Sequence, residues 1–280
     1  FTHFTNIYII TNTKNVHNLS KIRQTFPYVP FRNEIKIKSF NIKSHPHDLI
    51  LSHKKFFLNE FLNTNIYTHF LHTEDDMLFN KNNFKYWIKY RNYLNEYKII
   101  PSFFRIEKKN KDDYYRSTDV GFKVLWFLAP KISFKNMIFL NMPNPSQSNY
   151  LVDHELAREM YENPPNLKKH FYLNSNIGIR ETTDIGPIFS NVPKFFISRN
   201  FVPFKKTSKT IYRDCLIVHL PGNYANNKNT KLGKININKI IYYFPLPDST
   251  ILRNIKYFLY VYFRNFITYT CHCPVTTSKV

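Results

Sequence analysis

A chain of 280 residues, 43% hydrophobic and 18% aromatic, has the material for a full core and lies far from a disordered composition. Five glycines and 16 prolines exclude collagen-like and linker-like classes, and three cysteines are too few for a disulfide framework, which points to a reducing, cytoplasmic compartment. The net charge of +21 is spread along the chain in a sequence crowded with Lys, Asn, Ile, Phe and Tyr, so it favours anionic partners without naming one.

In chain order, residues 6–11 read as a buried strand that ends in a polar stretch, Thr11-Asn12-Thr13-Lys14. A helix follows through Leu19, Ile22 and Arg23. Residues 34–40 alternate polar and apolar and predict a half-buried strand. Asp48 is the expected N-cap of a helix whose apolar stripe is Ile50, Leu51, Phe57, Leu58 and Phe61. Residues 67–73 form the next expected strand, which delivers Glu74-Asp75-Asp76 at its C-terminal end. Phe84, Trp87, Ile88, Arg91 and Leu94 then recur at helical spacing. The aromatic and basic run 86–91 within this helix packs its rings into the core rather than stacking on bases, so no nucleic acid is expected as a partner.

Further on, 99–106 and 120–128 are strand-like, with a charged turn at 108–115 between them. Residues 141–149 and 163–165 read as loops, and a helical run opens at Asp153 and Glu155. A short strand at 215–219 ends in His219, before the turn-rich stretch 220–227. In the last part, Ile251, Leu252, Ile255, Phe258, Tyr262 and Phe266 fall on one helical face and Arg253, Lys256 and Arg264 on the other. That is the pattern of a helix lying in the headgroup plane of an anionic membrane, or of one docked on the catalytic domain. No apolar run approaches the roughly 20 residues that span a bilayer. Cys271-His272-Cys273 offers soft ligands, but a structural zinc site needs a second pair elsewhere. Strands alternate with helices through the first half, which predicts an α/β fold with a largely parallel sheet. The expected division is a catalytic domain over 1–245 and an amphipathic helix with its tail over 246–280.

Three consecutive carboxylates at the end of an apolar strand are costly unless a cation compensates them. They suit a hard ion such as Mn²⁺ or Mg²⁺, which takes one or two carboxylates together with substrate phosphates. A solvated acidic turn is the plainer alternative. The run Phe70-Leu-His-Thr-Glu-Asp-Asp-Met-Leu-Phe79, with an N-terminal strand and loop before it and a late histidine after it, resembles the acidic signature of GT-A-fold glycosyltransferases. The resemblance spans about residues 6–235.

That resemblance implies a GT-A-like (Rossmann-like) mixed, mainly parallel sheet flanked by helices. It also implies transfer of a sugar from a nucleotide-sugar donor to a hydroxyl of a glycan or lipid-linked acceptor. Asp76 would ligate the metal with help from Glu74, Asp75 would orient the donor, and His219 would be a further metal ligand. Thr11, Asn12 and Thr13 would touch the nucleotide. His53 and Lys54 fall where they could reach phosphate oxygens, although a solvated helix face is the plainer explanation of two basic residues there. An inverting enzyme needs a carboxylate base for the acceptor hydroxyl, and Glu181 and Asp153 are the two candidates, Glu181 being preferred. A metal-dependent phosphoryl-transfer enzyme and a basic protein that binds nucleic acid or a membrane face are the competing readings.

Overall fold

The N-terminal pattern folds as its periodicity predicts, with β1 (Thr5–Thr11) and β2 (Asn33–Ser39) paired in parallel, Thr5 opposite Asn33 and Thr11 opposite Ser39. Between them runs α1 (Val16–Gln24), capped by Asn15, whose side chain accepts the N–H groups of His17 and Asn18. β1 is half-buried rather than buried. The computed structural model describes residues 5–25, 33–42, 46–109, 113–142, 149–162, 188, 191–196, 198–242, 255 and 259. The expected helix at Asp48 takes three forms in succession: a 3-10 segment Pro46–Ser52, one α-turn α2 (His53–Phe56) and a π-helical segment Phe57–Leu62. Asp48 lies inside the 3-10 segment rather than at its cap.

The chain continues through β3 (His69–Thr73), β4 (Met77–Leu78) and α3 (Lys81–Asn95). Five strands follow: β5 (Ile100–Pro101), β6 (Phe104–Lys108), β7 (Tyr115–Ser117), β8 (Val124–Leu125) and β9 (Lys131–Phe134). Then come β10 (Met137–Asn141), β11 (Asn149–Asp153) and α4 (His154–Glu162). The last described elements are β12 (Asn200–Lys205), β13 (Leu216–His219), α5 (Asn223–Asn226), β14 (Ile235–Asn236) and β15 (Ile241–Tyr242).

These strands do not make the expected mainly parallel sheet flanked by helices. Among the described strand pairs six are antiparallel and four parallel. They are divided among a four-stranded sheet in the order β5-β12-β10-β9, a five-stranded sheet β14-β7-β6-β13-β4, and the pairs β1-β2, β11-β3 and β15-β8. The GT-A-like, Rossmann-like expectation is therefore corrected. Parallel neighbours require long crossovers, usually helical, and between α3 and α4 the described chain holds only short strands and turns. Hairpins such as β9-β10, closed over Lys135 and Asn136, pair antiparallel as short connections must.

α3 carries the core. Trp87 and Leu94 are buried with Phe104, Phe139, Phe201 and Ile217, so the aromatic run 86–91 serves packing. Asn80 and Asn83 form a capping box, and the Asn83 amide donates to the carbonyls of Asp214 (2.8 Å) and Leu216 (2.9 Å), which fixes the approach of β13. Cys215, beside it, is buried, and burial pushes its thiol well up. Cys271, His272 and Cys273 lie outside the described residues. Of the C-terminal segment only Ile255 and Leu259 are described, both helical and exposed. No helix among the described residues is long and apolar enough to cross a membrane.

His53 is buried rather than presented to a ligand. Its Nδ1–H donates to the Ile50 carbonyl and Nε2 accepts from the Tyr150 hydroxyl at 2.7 Å, so both nitrogens are occupied by the neutral ring. Burial, then the neighbouring His72, lower its pKa to about 3. The unfolded chain takes up this proton near pH 6.5 and the folded protein does not, so the stability from neutral His53 is full above about pH 6.5 and falls with acid at about 1.4 kcal/mol per pH unit until the folded group titrates. Urea unfolding at pH 7 and pH 5 should thus differ by about 2 kcal/mol from this group. The double variant His53→Phe, Tyr150→Phe, which removes both polar partners, should lose that part of the difference. An unchanged difference would contradict the assignment.

Candidate functional site

β3 belongs to one sheet and β4 to another, and Glu74-Asp75-Asp76 is the turn between them, closed by the Met77 N–H on the Glu74 carbonyl at 3.3 Å. β4 then pairs antiparallel with β13, Met77 opposite His219, and the Leu220 N–H donates to the Asp76 carbonyl at 2.9 Å. Backbone register thus carries Asp76 to His219. The Asp76 Oδ2 lies 3.0 Å from His219 Nε2, while its Oδ1 is buried with no hydrogen-bond partner. Asp75 is exposed at the tip of the turn and Glu74 half-buried.

On the other side of the imidazole stands a residue that sequence reasoning passed over. β6 runs parallel to β13, Ile106 opposite Val218, so the next pair along is Glu107 and His219. The Glu107 Oε1 accepts the His219 Nδ1–H, and its Oε2 accepts the backbone N–H groups of Tyr224 (2.9 Å) and Ala225 (2.6 Å) at the first turn of α5. Glu107 is wholly buried. The period-two alternation Phe104-Arg105-Ile106-Glu107 contained the signal, since it puts two charged residues on one face of an otherwise apolar strand.

Arg105, on that same face, donates through Nε to Asp119 at 3.0 Å and lies 5.5 Å from the centre of the Tyr224 ring. Burial pushes the Asp119 carboxyl up to about 6, and the charge and hydrogen bonds of Arg105 hold it back. His219 is raised from its usual value, first by its bond to Glu107 and then by the charge of Asp76, against the cost of burial. Four carboxylates (Glu74, Asp76, Glu107, Asp119) thus converge on Arg105 and His219, an acidic centre in a protein of net charge +21.

A divalent cation could be held here only in place of the proton that lets His219 Nε2 donate to Asp76. With His219 neutral and its proton on Nδ1, Nε2 and the unpartnered Asp76 oxygen would be two donors, one at the end of β13 and one just before β4. Glu107 then holds the tautomer from behind, as carboxylates behind metal-binding histidines do. Among the described residues no group of three or more His, Cys, Asp or Glu side chains makes a complete metal site. Two protein donors suit an ion that completes its shell with water and phosphate oxygens.

The other expected site residues stand apart from this centre. Asp153 accepts from Arg91 Nε at 2.7 Å and from the Leu156 N–H at 2.8 Å, which ties it to α3 and to the start of α4. It pairs with His69, at the far end of β3 from Thr73, about 13 Å of strand away. Thr11 and Thr13 make local bonds: the Thr13 N–H donates to Thr11 Oγ1 at 3.2 Å, and Ser39 Oγ donates to the Thr13 carbonyl at 2.6 Å. Asn12 lies in the same strand-to-helix turn, and Lys54 is exposed on α2. Glu181 lies outside the described residues. No protein-family model, no curated protein and no solved structure matches the chain.

Gly233 is required by this geometry. Its φ is +70°, and a Cβ there would stand 2.6 Å from the Tyr224 carbonyl oxygen, with the backbone of Ala225 also in the way. Gly233→Ala should therefore displace the turn whose N–H groups hold Glu107 and cost about 3 kcal/mol or more. Chemical denaturation checks this, and a wild-type midpoint would show that the turn is not packed as described.

Proposed function

We propose that the chain is a metal-dependent glycosyltransferase that binds a nucleoside-diphosphate sugar at the turn Glu74-Asp75-Asp76. The observation that supports the cation is the line of side chains Glu107–His219–Asp76, with a buried Asp76 oxygen left for a ligand. The sugar-nucleotide part of the reading rests on the acidic signature 70–79, and the fold contributes nothing to it. Asp76 and His219 would hold Mn²⁺ or Mg²⁺, with Glu74 beside them. Such an ion, when bound, neutralises the developing charge of a leaving diphosphate.

The chain's own residues do the remaining work. The β4–β13 pairing fixes Asp76 against His219 before any ligand arrives, so little ordering is left for binding. Glu107 orients the imidazole and keeps its proton on Nδ1. Asp75, exposed at the tip, is free to meet the donor's ribose. With Asp153 committed to Arg91 and the α4 cap, Glu181 is the acceptor base in this reading. Its replacement by Gln should lower turnover about 10²–10⁴-fold and leave nucleotide affinity unmoved.

The test is a panel of nucleotide-sugar donors screened for Mn²⁺-dependent release of the nucleoside diphosphate. Release that requires both the sugar and the ion supports the reading. Cation-dependent cleavage of nucleotides that carry no sugar would instead favour a phosphoryl-transfer enzyme. Absence of any cation-dependent nucleotide binding would leave the acidic turn as a structural feature.

A further inference from the structure

Two of the buried asparagines are tied into the fold by their side chains. Asn83 donates to the carbonyls of Asp214 and Leu216, and Asn141 donates to those of Ser198 (3.1 Å) and Asn200 (2.9 Å). Asn149, the first residue of β11, is different. It is 1% exposed, yet neither its Oδ1 nor its Nδ2 has a hydrogen-bond partner. Among the described residues no other buried side chain leaves both a donor and an acceptor unpartnered. An amide taken out of water without partners is destabilising, and native interiors rarely keep one without a use.

Register places this residue beside the acidic turn. Asn149 pairs with Thr73, the last residue of β3 and the one before Glu74. Opposed Cα atoms in an antiparallel pair stand about 4.5–5.5 Å apart. Thr73 is exposed and Asn149 buried, so the pair straddles the boundary between surface and interior. β11 thus brings a second unsatisfied polar group to this end of the sheet, in addition to the unpartnered Oδ1 of Asp76.

We infer that Asn149 binds a vicinal pair of hydroxyl groups, those of the transferred sugar, an inference that rests on the nucleotide-sugar reading of the acidic turn. The chemistry of the amide selects this ligand class. A cation would be met by Oδ1 alone and leave the Nδ2 hydrogens unpaired. A phosphate would accept those hydrogens and leave Oδ1 facing a negative oxygen. Adjacent hydroxyls satisfy both atoms, one donating to Oδ1 while its neighbour accepts from Nδ2–H. Ribose carries the same pair, but Asp75 is the residue assigned to it, which leaves the transferred sugar for Asn149. Because the amide lies beneath the surface, sugar entry includes a local opening of the strand end, and the unmet hydrogen bonds of the amide favour that exchange.

Two measurements on the full chain test this. Without ligand, Asn149→Leu, which removes the amide at similar volume, should melt above the wild type, because an unpartnered buried group is lost. With Mn²⁺ present, calorimetry compares UDP and GDP, their 2′-deoxy forms, and UDP-glucose, UDP-galactose and GDP-mannose. Asn149→Leu and Asn149→Ala should each weaken at least one sugar conjugate about tenfold or more, while affinity for its own diphosphate and for Mn²⁺ is kept. Loss of the difference between ribose and deoxyribose forms would put ribose at the amide, and loss of Mn²⁺ affinity would make Asn149 a cation ligand. Either result overturns the assignment to the transferred sugar. A leucine variant that melts below the wild type, as a buried water bridging the amide would give, overturns it too. Undiminished binding of every conjugate by both variants overturns this inference alone, whereas a wild type that binds no nucleotide overturns the nucleotide-sugar reading with it.

Discussion

Replacing Asp76 by alanine is expected to lower cation-dependent turnover by on the order of 10³-fold while leaving the fold in place. The carboxylate contributes little to the protein without an ion. One oxygen has no partner, and the other meets His219 from a side chain about a third exposed, an interaction worth about 1 kcal/mol or less in that setting. The backbone of residue 76 is held independently, by the Leu220 N–H and by the pairing of Met77 with His219. Circular-dichroism melting of Asp76→Ala should therefore stay close to the wild type while donor hydrolysis disappears. Asp76→Asn, which keeps the contact with His219 and removes the charge, should behave like the alanine variant. Turnover near the wild-type rate in either would remove Asp76 from the site.

Glu107 is expected to show the opposite balance, with a large effect on stability. It is wholly buried and accepts three hydrogen bonds, from His219 and from the N–H groups of Tyr224 and Ala225. Glu107→Ala leaves those donors unpaired in the interior at about 1–3 kcal/mol each, so a loss of about 4 kcal/mol or more is expected. Glu107→Gln keeps the volume and one acceptor oxygen and should fold. Without the charge that orients and polarises the imidazole, its affinity for Mn²⁺ should fall about 10- to 100-fold. Denaturant unfolding reads the first variant and calorimetric Mn²⁺ titration the second. A glutamine variant with wild-type affinity would mean that Glu107 serves packing alone.

The contrast between these two residues shows what the sequence made legible. The proximity of Asp76 and His219 had a sequence signal because Asp76 follows closely on one apolar strand, β3, and His219 ends another, β13. α3 was readable for a similar reason, since Phe84, Trp87, Arg91 and Leu94 repeat at one period for about three turns. Strand direction was not. The pairing of β6 with β7 and of β9 with β10 depends on short charged turns, and an apolar stretch of three to five residues looks the same whichever way its neighbour runs. Glu107 was hidden because it falls between the strand-like stretch 99–106 and what reads as a charged turn, Lys108 to Tyr115. Its burial comes from α5, more than a hundred residues later, whose packing rests on Gly233. Asp153 misled in the other direction: a carboxylate at a helix start has the look of a catalytic base, yet Arg91 arrives from α3 to occupy it.

The acidic centre can be tested without knowing the donor sugar. Electron paramagnetic resonance of Mn²⁺, titrated with the full chain in the presence of each common nucleoside diphosphate, reports how much ion is bound. The account predicts that at least one diphosphate tightens Mn²⁺ binding, and that Asp76→Ala and His219→Ala each weaken the complex tenfold or more while Asp153→Asn leaves it unchanged. Equal Mn²⁺ binding by the wild type and both site variants, with every nucleotide, would contradict it.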